Sequence, residues 1–390
     1  MSEIKKLIEK LCPNGVEFKK LIDLAEVGTG SSNKQDASDD GKYPFFVRSK
    51  NVERLDSYEY DEEAIIIPGE GGIGDIFHYI NGKYALHQRV YRIHFITNSV
   101  NVKFAYYYLS NSFKKYILGK AVSATVTSIR KPMIQNFEIP VPPIEVQSKI
   151  VEILDNFTEL EAELEAELEA RRKQYEYYRD NLFLISTNIK KIGDLTKVFS
   201  CPRVFRNQWK DSGIPFWRSS DVMSYHNRVK NPRGEVFISQ SLYQELSRKT
   251  ERIEKGDLLV TGGGSIGMPY LKRDNHPLFV KDADLICIKK CDNFIPSYLY
   301  HYFFTTEFRT YLKKITHDAT IAHYTINQIK DTPIPVPPLE EQKRIASILD
   351  RFEVLTTDLQ SGLPAEIKAR RKQYEHYREK LLTFKRKEKI

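Results

Sequence analysis

Two glycine-rich runs, GEGGIG at 69–74 and GGGSIG at 262–267, are places where backbone amides could cradle a phosphate. Neither fits G-x-G-x-x-G followed by a helix, nor G-x-x-x-x-G-K-[ST]. Each run returns to strand-like residues, so a tight turn is the better reading. Cys287 and Cys291 are spaced C-x3-C without a nearby histidine pair, which does not make a zinc site. Nine histidines are scattered without an H-E-x-x-H motif, and the Asn/Asp-Pro-Pro-Tyr tetrapeptide of amino-methyltransferases is missing. No catalytic constellation emerges, and the chain reads as a non-catalytic protein. What remains is a basic and aromatic stretch. Between Cys201 and Arg233 stand seven Lys/Arg against two Asp, interleaved with Phe205, Trp209, Phe216, Trp217 and Tyr225. Phosphates attract such charge and bases stack on such rings, so this composition suits a nucleic-acid surface. The plainer reading is a solvated polar face over an ordinary core.

The elements that must carry these residues come in duplicate. Residues 140–157, PVPPIEVQSKIVEILDNF, return at 335–352 as PVPPLEEQKRIASILDRF, with eleven of eighteen positions identical. ARRKQYEYYRDNL at 170–182 returns as ARRKQYEHYREKL at 369–381, with ten of thirteen identical. Weaker matches run upstream: KKLIDLAEV at 19–27 with KKIGDLTKV at 190–198, Pro44-Phe45-Phe46 with Pro215-Phe216-Trp217, and AIIIPGEGGIG at 64–74 with DLLVTGGGSIG at 257–267. The second unit gains about 22 residues between the positions aligned with Pro44 and Gly69. So long a period argues duplication of a domain plus spacer, not a solenoid. Apolar residues at Ile150, Ile153, Phe157, Leu160, Leu164 and Leu168, then Tyr175, Tyr178 and Leu182, trace a coiled-coil seam. The second copy repeats it from Ile345 to Leu381, with a break at Gly362-Leu363-Pro364. His87–Phe95 and Asp284–Ile288 are strand-like, while Val102–Leu118 and Pro296–Lys314 look helical. The P-x-P-P-x-E-x-Q element at Pro140–Gln147 and Pro335–Gln342 reads locally as a helix start, with prolines ending a strand and Glu145 or Glu340 in the first turn. Its repetition beside divergent domains suggests two copies of one partner and two different targets.

The chain has 390 residues and a net charge of +8, which suits two or three domains. Six Glu crowd residues 158–170, and residues 366–390 carry ten Lys/Arg against four Glu. No run reaches the roughly 18 apolar residues of a membrane span, and the N-terminus shows no signal-peptide core. Four cysteines without framework spacing point to free thiols and a cytoplasmic location.

PVPPIEVQSKIVEILDNF, the EAEL repeats at 161–168, ARRKQYEYYRDNL and their second copies together resemble the specificity subunit of type I restriction–modification enzymes. The resemblance covers essentially the full chain. It implies an α+β architecture with pseudo-two-fold tandem repeats: two α/β target-recognition domains separated by two long antiparallel coiled-coil spacer helices. Residues 1–18 would complete a circular arrangement beside the C-terminal repeat. Residues 19–143 would form the first recognition domain, 144–185 the central spacer helix, 186–338 the second domain and 339–390 the C-terminal spacer helix. Each domain would read one half of a bipartite site in double-stranded DNA. The helices would set the unread gap and dock two methyltransferase subunits, to which restriction subunits can add. The chain itself would hold no cofactor: S-adenosylmethionine belongs to the methyltransferase, and ATP and Mg to the restriction partner. A coiled-coil scaffold with two protein-binding domains and no DNA role is the alternative of a different class.

Polar and basic residues near strand–turn junctions, or in the Ala-Thr element shared by both copies, are the DNA-contact candidates. They are Arg48, Lys50, Arg89, Ser123, Thr125, Thr127 and Arg130 in the first domain. In the second they are Arg206, Arg218, Ser219, Arg228, Lys281, Thr320, His323 and Tyr324. Gln147, Arg171, Arg172, Gln342, Arg370 and Arg371 are the candidates for partner docking, with Tyr175, Tyr178, Tyr374 and Tyr377 assigned to the helix seam. The tandem EAEL units make one prediction about the gap. Deleting Glu165–Leu168 removes about 6 Å of helix and rotates the downstream face by roughly 40°. Both half-sites should survive with the gap shortened by about one or two base pairs, at about 3.4 Å each. Methylome sequencing of the deletion strain checks this, and normal methylation with an unchanged gap would rule out the ruler.

Overall fold

Ile65 and Ile67 bury one face of a strand while Ala64 and Ile66 bury the other, the two-residue alternation that makes a strand the core of a layered domain. A computed structural model describes residues 2–120, 128–184, 186–316, 323–358 and 360–388 of the chain, the side chains of Ser2 and Lys120 aside. Two compact units are present: residues 1–164 with 367–390, and residues 165–366. The spacer helix Ile144–Phe183 is one continuous element that contributes its first half to one unit and its second half to the other.

The first unit holds a six-stranded sheet in the order Ala25–Thr29, Val90–Phe95, Tyr60–Pro68, His78–Leu86, Tyr43–Phe46, Val52–Leu55. All neighbours are antiparallel except Tyr43–Phe46 beside His78–Leu86. Helix Val102–Lys120 packs Ala105, Leu109 and Phe113 onto Ile65, Ile67 and Ile93. The second unit repeats the plan in shorter pieces. Val198–Ser200, Leu285–Ile288, Leu258–Thr261 and Pro269–Leu271 form one sheet, and Phe237–Ile238, Ile214–Trp217 and Phe279–Val280 another. Its extra residues fold into helices Ser219–Asn227 and Gln240–Leu246. The predicted helix over Pro296–Lys314 divides into Pro296–Tyr302 and Thr306–Thr316, because Thr305 Oγ1 accepts the Phe308 amide and starts a new helix. A matching two-stranded ladder closes each domain, Phe18↔Pro140 in one and Ile189↔Pro335 in the other. No described helix is long and apolar enough to cross a membrane.

The repeated motifs meet each other inside each unit. In the first, Phe157 of the spacer helix lies against Tyr374 and Tyr377 of helix Leu363–Leu381, at 5.5 Å from the Tyr377 ring, and Glu161 accepts from Arg371 Nε at 2.5 Å. In the second, Phe352 of helix Leu339–Thr357 lies against Tyr175 and Tyr178 of the spacer helix, 5.7 Å from Tyr178. In the first pair residue numbers rise along one helix as they fall along the other, Phe157 meeting Tyr374 and Tyr377 and Glu161 meeting Arg371, so that pairing is antiparallel. The tyrosines assigned to the seam are there.

The glutamine of P-x-P-P-x-E-x-Q does different work from partner docking. Gln147 is fully buried; its Oε1 accepts the Asn101 amide at 2.8 Å and its Nε2 donates to the Ser99 and Pro142 carbonyls. Gln342 does the same for Ile295, Asn293 and Pro337. Both are sealed in the joint between sheet domain and helix and present no face to a partner, which corrects the docking expectation for them. About two helical turns on from each joint, a second contact repeats: Tyr107 donates to Asp155 at 2.6 Å, and His301 Nε2 meets Asp350 at 2.9 Å.

The chain's two ends share the first unit. Val16 N donates to Lys385 O and Lys387 N to Val16 O, while Arg386 bonds Glu138 and covers the Phe18 ring at 4.2 Å. Gly15 permits this with φ +86°, and a Cβ there would sit 2.8 Å from the Lys385 and Arg386 carbonyls. Gly15→Val should therefore cost about 1–3 kcal/mol. Gly119→Ala, facing open space in a helix, should change stability by less than about 1 kcal/mol. Gln147→Met, close in volume but unable to bond the three backbone groups, should cost more than about 2 kcal/mol. Urea denaturation measures all three; a Gln147→Met protein as stable as wild type would show that the joint does not depend on this side chain.

Candidate nucleic-acid interface

At one edge of the first domain three loops are tied together by backbone hydrogen bonds. The turn after strand Tyr60–Pro68 donates through Gly69 N to Arg89 O at 2.9 Å, and Ile129 N donates to Gly69 O at 2.8 Å. Gly71 has φ +80°, and an added Cβ would lie 2.6 Å from the Arg48 carbonyl oxygen, so only glycine lets the two loops approach this closely. Glu70 on this turn accepts from Arg48 Nη1 and Arg89 Nη1, each at 3.0 Å. Hydrogen bonds from Arg89 and then Arg48 hold its carboxyl below the usual carboxylate range. His87 lies buried beside them; burial first, then Arg48 and Arg89, push its imidazole down, and Nδ1 accepts the Arg89 amide at 3.0 Å. Lys50, two residues beyond Arg48, and Arg130, next to Ile129, are exposed. The structure thus gathers Arg48, Lys50, Arg89 and Arg130 onto connected loops. Ser123, Thr125 and Thr127 lie outside the described residues.

The second domain builds the same edge from other side chains. Gly262 N donates to Asp284 O at 2.8 Å, and Tyr324 N donates to Gly262 O at 2.9 Å. Gly263 stands where the first domain has Glu70, and a Cβ on it would come 3.3 Å from Asp284 Oδ1. Asp284 therefore supplies from a neighbouring segment the carboxylate that Glu70 supplies from the turn. It accepts the Ser219 amide at 2.9 Å, and Lys281 Nζ lies 3.8 Å away.

Three expected contacts of this domain belong to the framework instead. Arg218 is buried, its guanidinium spent on Asp221 at 2.9 Å and the Gly234 carbonyl at 2.6 Å. Ser219 is buried, with Oγ donating to Asp284 O at 2.7 Å. Tyr324 is fully buried with its hydroxyl on Thr332. Saturated, enclosed polar groups hold loops in place and cannot reach base edges. Lys281 and His323 are exposed on the tied loops. Arg206 is exposed beside Trp209, and Arg228 caps helix Ser219–Asn227 at φ 54°, lining a cleft of about 630 Å³ with Trp217, Tyr225, Lys230 and Asn231. Thr320 lies outside the described residues.

Of the docking candidates, Arg171 bonds Glu167 and Gln174 along its own helix, Arg370 bonds Gln373, and Arg371 reaches Glu161 across the seam. Arg172 is exposed. His301, Asp350 and Glu353 lie close enough together to suggest a metal, but each already has protein partners: Tyr175 and Asp350 on His301, Tyr300 and Arg273 on Glu353. Sequence reasoning missed Glu70 and Asp284. The acid inside an otherwise glycine-rich turn was the available signal for the first; the second, displaced to another segment, left none.

Known proteins carry the same architecture. Residues 13–170 and 186–369 match the family described as the type I restriction modification DNA specificity domain. A putative type I restriction enzyme specificity subunit of Haemophilus influenzae is 32% identical across 98% of this chain and all of its own length. The EcoR124I/EcoR124II specificity subunit of Escherichia coli is 29% identical across 75% of this chain and 73% of its own. The crystal structure of a type I restriction–modification S subunit from M. genitalium shares the fold with a TM-score of 0.59 at 15% identity, covering 94% of this chain and 96% of that one. With both repeats matched and full length shared with a relative, the chain belongs to the DNA specificity subunits of type I restriction–modification systems.

Proposed function

We propose that each recognition domain reads one half of a bipartite DNA site through its tied-loop edge, while the paired helices set the gap and receive two methyltransferase subunits. The observation that carries this reading is the edge itself: one backbone frame, built twice, with Arg48, Glu70 and Arg89 on the first copy and Lys281 and Asp284 on the second. A frame held constant while its outward charges change is what two readers of different half-sites require. Phosphate contacts fix position and affinity, and base-edge contacts supply sequence information. The exposed Lys50, Arg130, Arg206 and Arg228 suit the first task.

Catalysis falls to partners in this account. S-adenosylmethionine would be held by the methyltransferase subunits, and ATP and Mg by any restriction subunits that join. The purified chain alone should transfer no methyl group to DNA, and should confer site-specific adenine methylation once combined with its methyltransferase. Radiolabelled methyl transfer measures both, and turnover by the chain alone would overturn the division of labour. The exposed basic strips around Arg171 and Arg370 are our docking face. Arg171→Glu with Arg370→Glu should reduce co-purification of the methyltransferase at least tenfold while circular dichroism stays unchanged. Assembly of normal strength would move the docking face elsewhere.

A further inference from the structure

Arg48 and Arg89 could serve DNA in two ways: as loose clamps on phosphate or as fixed readers of bases. A phosphate clamp gains nothing from a carboxylate 3.0 Å from both guanidiniums, since Glu70 cancels one of the two charges. A base reader gains orientation from it. A free arginine side chain loses much rotamer entropy when it is fixed, and a partner already in place lowers that cost on binding. The backbone adds to this. Gly71 brings the turn against the Arg48 carbonyl, and Gly69 N bonds the Arg89 carbonyl, so the three side chains spring from points whose separation is fixed.

The use of the donors is selective. Each arginine spends only Nη1 on Glu70. Among the described residues, Nε and Nη2 of both have no partner, which leaves each guanidinium the parallel donor edge that bonds O6 and N7 of guanine together. Both side chains are about half exposed, so this edge is accessible.

Building on the DNA-reading role proposed above, we propose that Glu70 is a positioning residue that presets Arg48 and Arg89 as a fork for guanine in the first half-site. The comparison within the chain supports the choice of place. Domain two keeps a carboxylate at this point, Asp284, but offers one lysine instead of two arginines, so the two copies differ here in what they present to bases.

The test uses the chain assembled with its methyltransferase, with four variants: Arg48→Ala, Arg89→Ala, Glu70→Ala and Glu70→Gln. Methylome sequencing and methylation rates on oligonucleotides changed one base at a time give the recognised sequence. Each arginine variant should lose roughly 5- to 150-fold of its preference at a guanine of the first half-site. The second half-site should keep its discrimination. Glu70→Ala and Glu70→Gln should lower that same guanine preference while tightening binding to unrelated DNA and steepening its salt dependence, because a negative charge is removed from the edge. A phosphate clamp predicts otherwise: arginine variants weak on all sequences alike, and glutamate variants that bind everything more tightly with an unchanged motif. Either of those results overturns the proposal. Absence of site-specific methylation by the wild-type assembly would instead refute the DNA-reading role on which it rests. Glu70→Gln keeps the size of the side chain, and an intact circular dichroism spectrum secures the comparison.

Discussion

The rest of the structure depends on a reciprocal aromatic contact. Phe157 from the first repeat sits on Tyr374 and Tyr377 from the second, and Phe352 from the second sits on Tyr175 and Tyr178 from the first. Neither copy contains the partner of its own phenylalanine within reach; each is completed by the other. This complementarity explains why ILD-x-F and RRKQYE-x-YR are the most faithfully repeated segments, while the recognition domains between them differ. A change in either motif is felt at a seam whose opposite side lies some two hundred residues away, so the two copies constrain each other.

From that seam the recognition domains are positioned by polar contacts in buried places. Gln147 and Gln342 each satisfy three backbone groups at the domain–helix joint, and Tyr107–Asp155 and His301–Asp350 add a second tie about two turns further along the helix. A buried amide with all its partners in place specifies one geometry, because any shift leaves donors and acceptors unpaired. The joint therefore holds the tied-loop edge at a defined attitude to its helix, and sequence divergence in the loops leaves that attitude untouched.

Much of this plan was legible in the residues. The repeat, the strand into a glycine turn, and the tyrosine seam follow from spacing and composition, and the structure has each. What spacing could not supply was the environment of single side chains. Arg48 and Arg218 both follow a Pro-Phe-aromatic strand and look alike as candidates. Arg218 is buried because the residues inserted in the second domain bring Asp221 and Gly234 around it, while Arg48 stays at the surface. Tyr324 follows an Ala-Thr element that suggested an exposed loop, yet its backbone is tied to Gly262 and its ring fills the core. The glutamines carry the same lesson: a polar residue repeated in both copies can be repeated for an internal bond.

The central claim is that two interchangeable readers stand on one frame. The matching ladders Phe18↔Pro140 and Ile189↔Pro335 mark where one domain can be exchanged for the other. The direct measurement replaces residues 190–334 with residues 19–139 and sequences the methylome of a strain carrying this chain and its methyltransferase. The account predicts a symmetric site made of two inverted copies of the first half-site, with the second half-site gone. Methylation that still follows the original asymmetric site would contradict it.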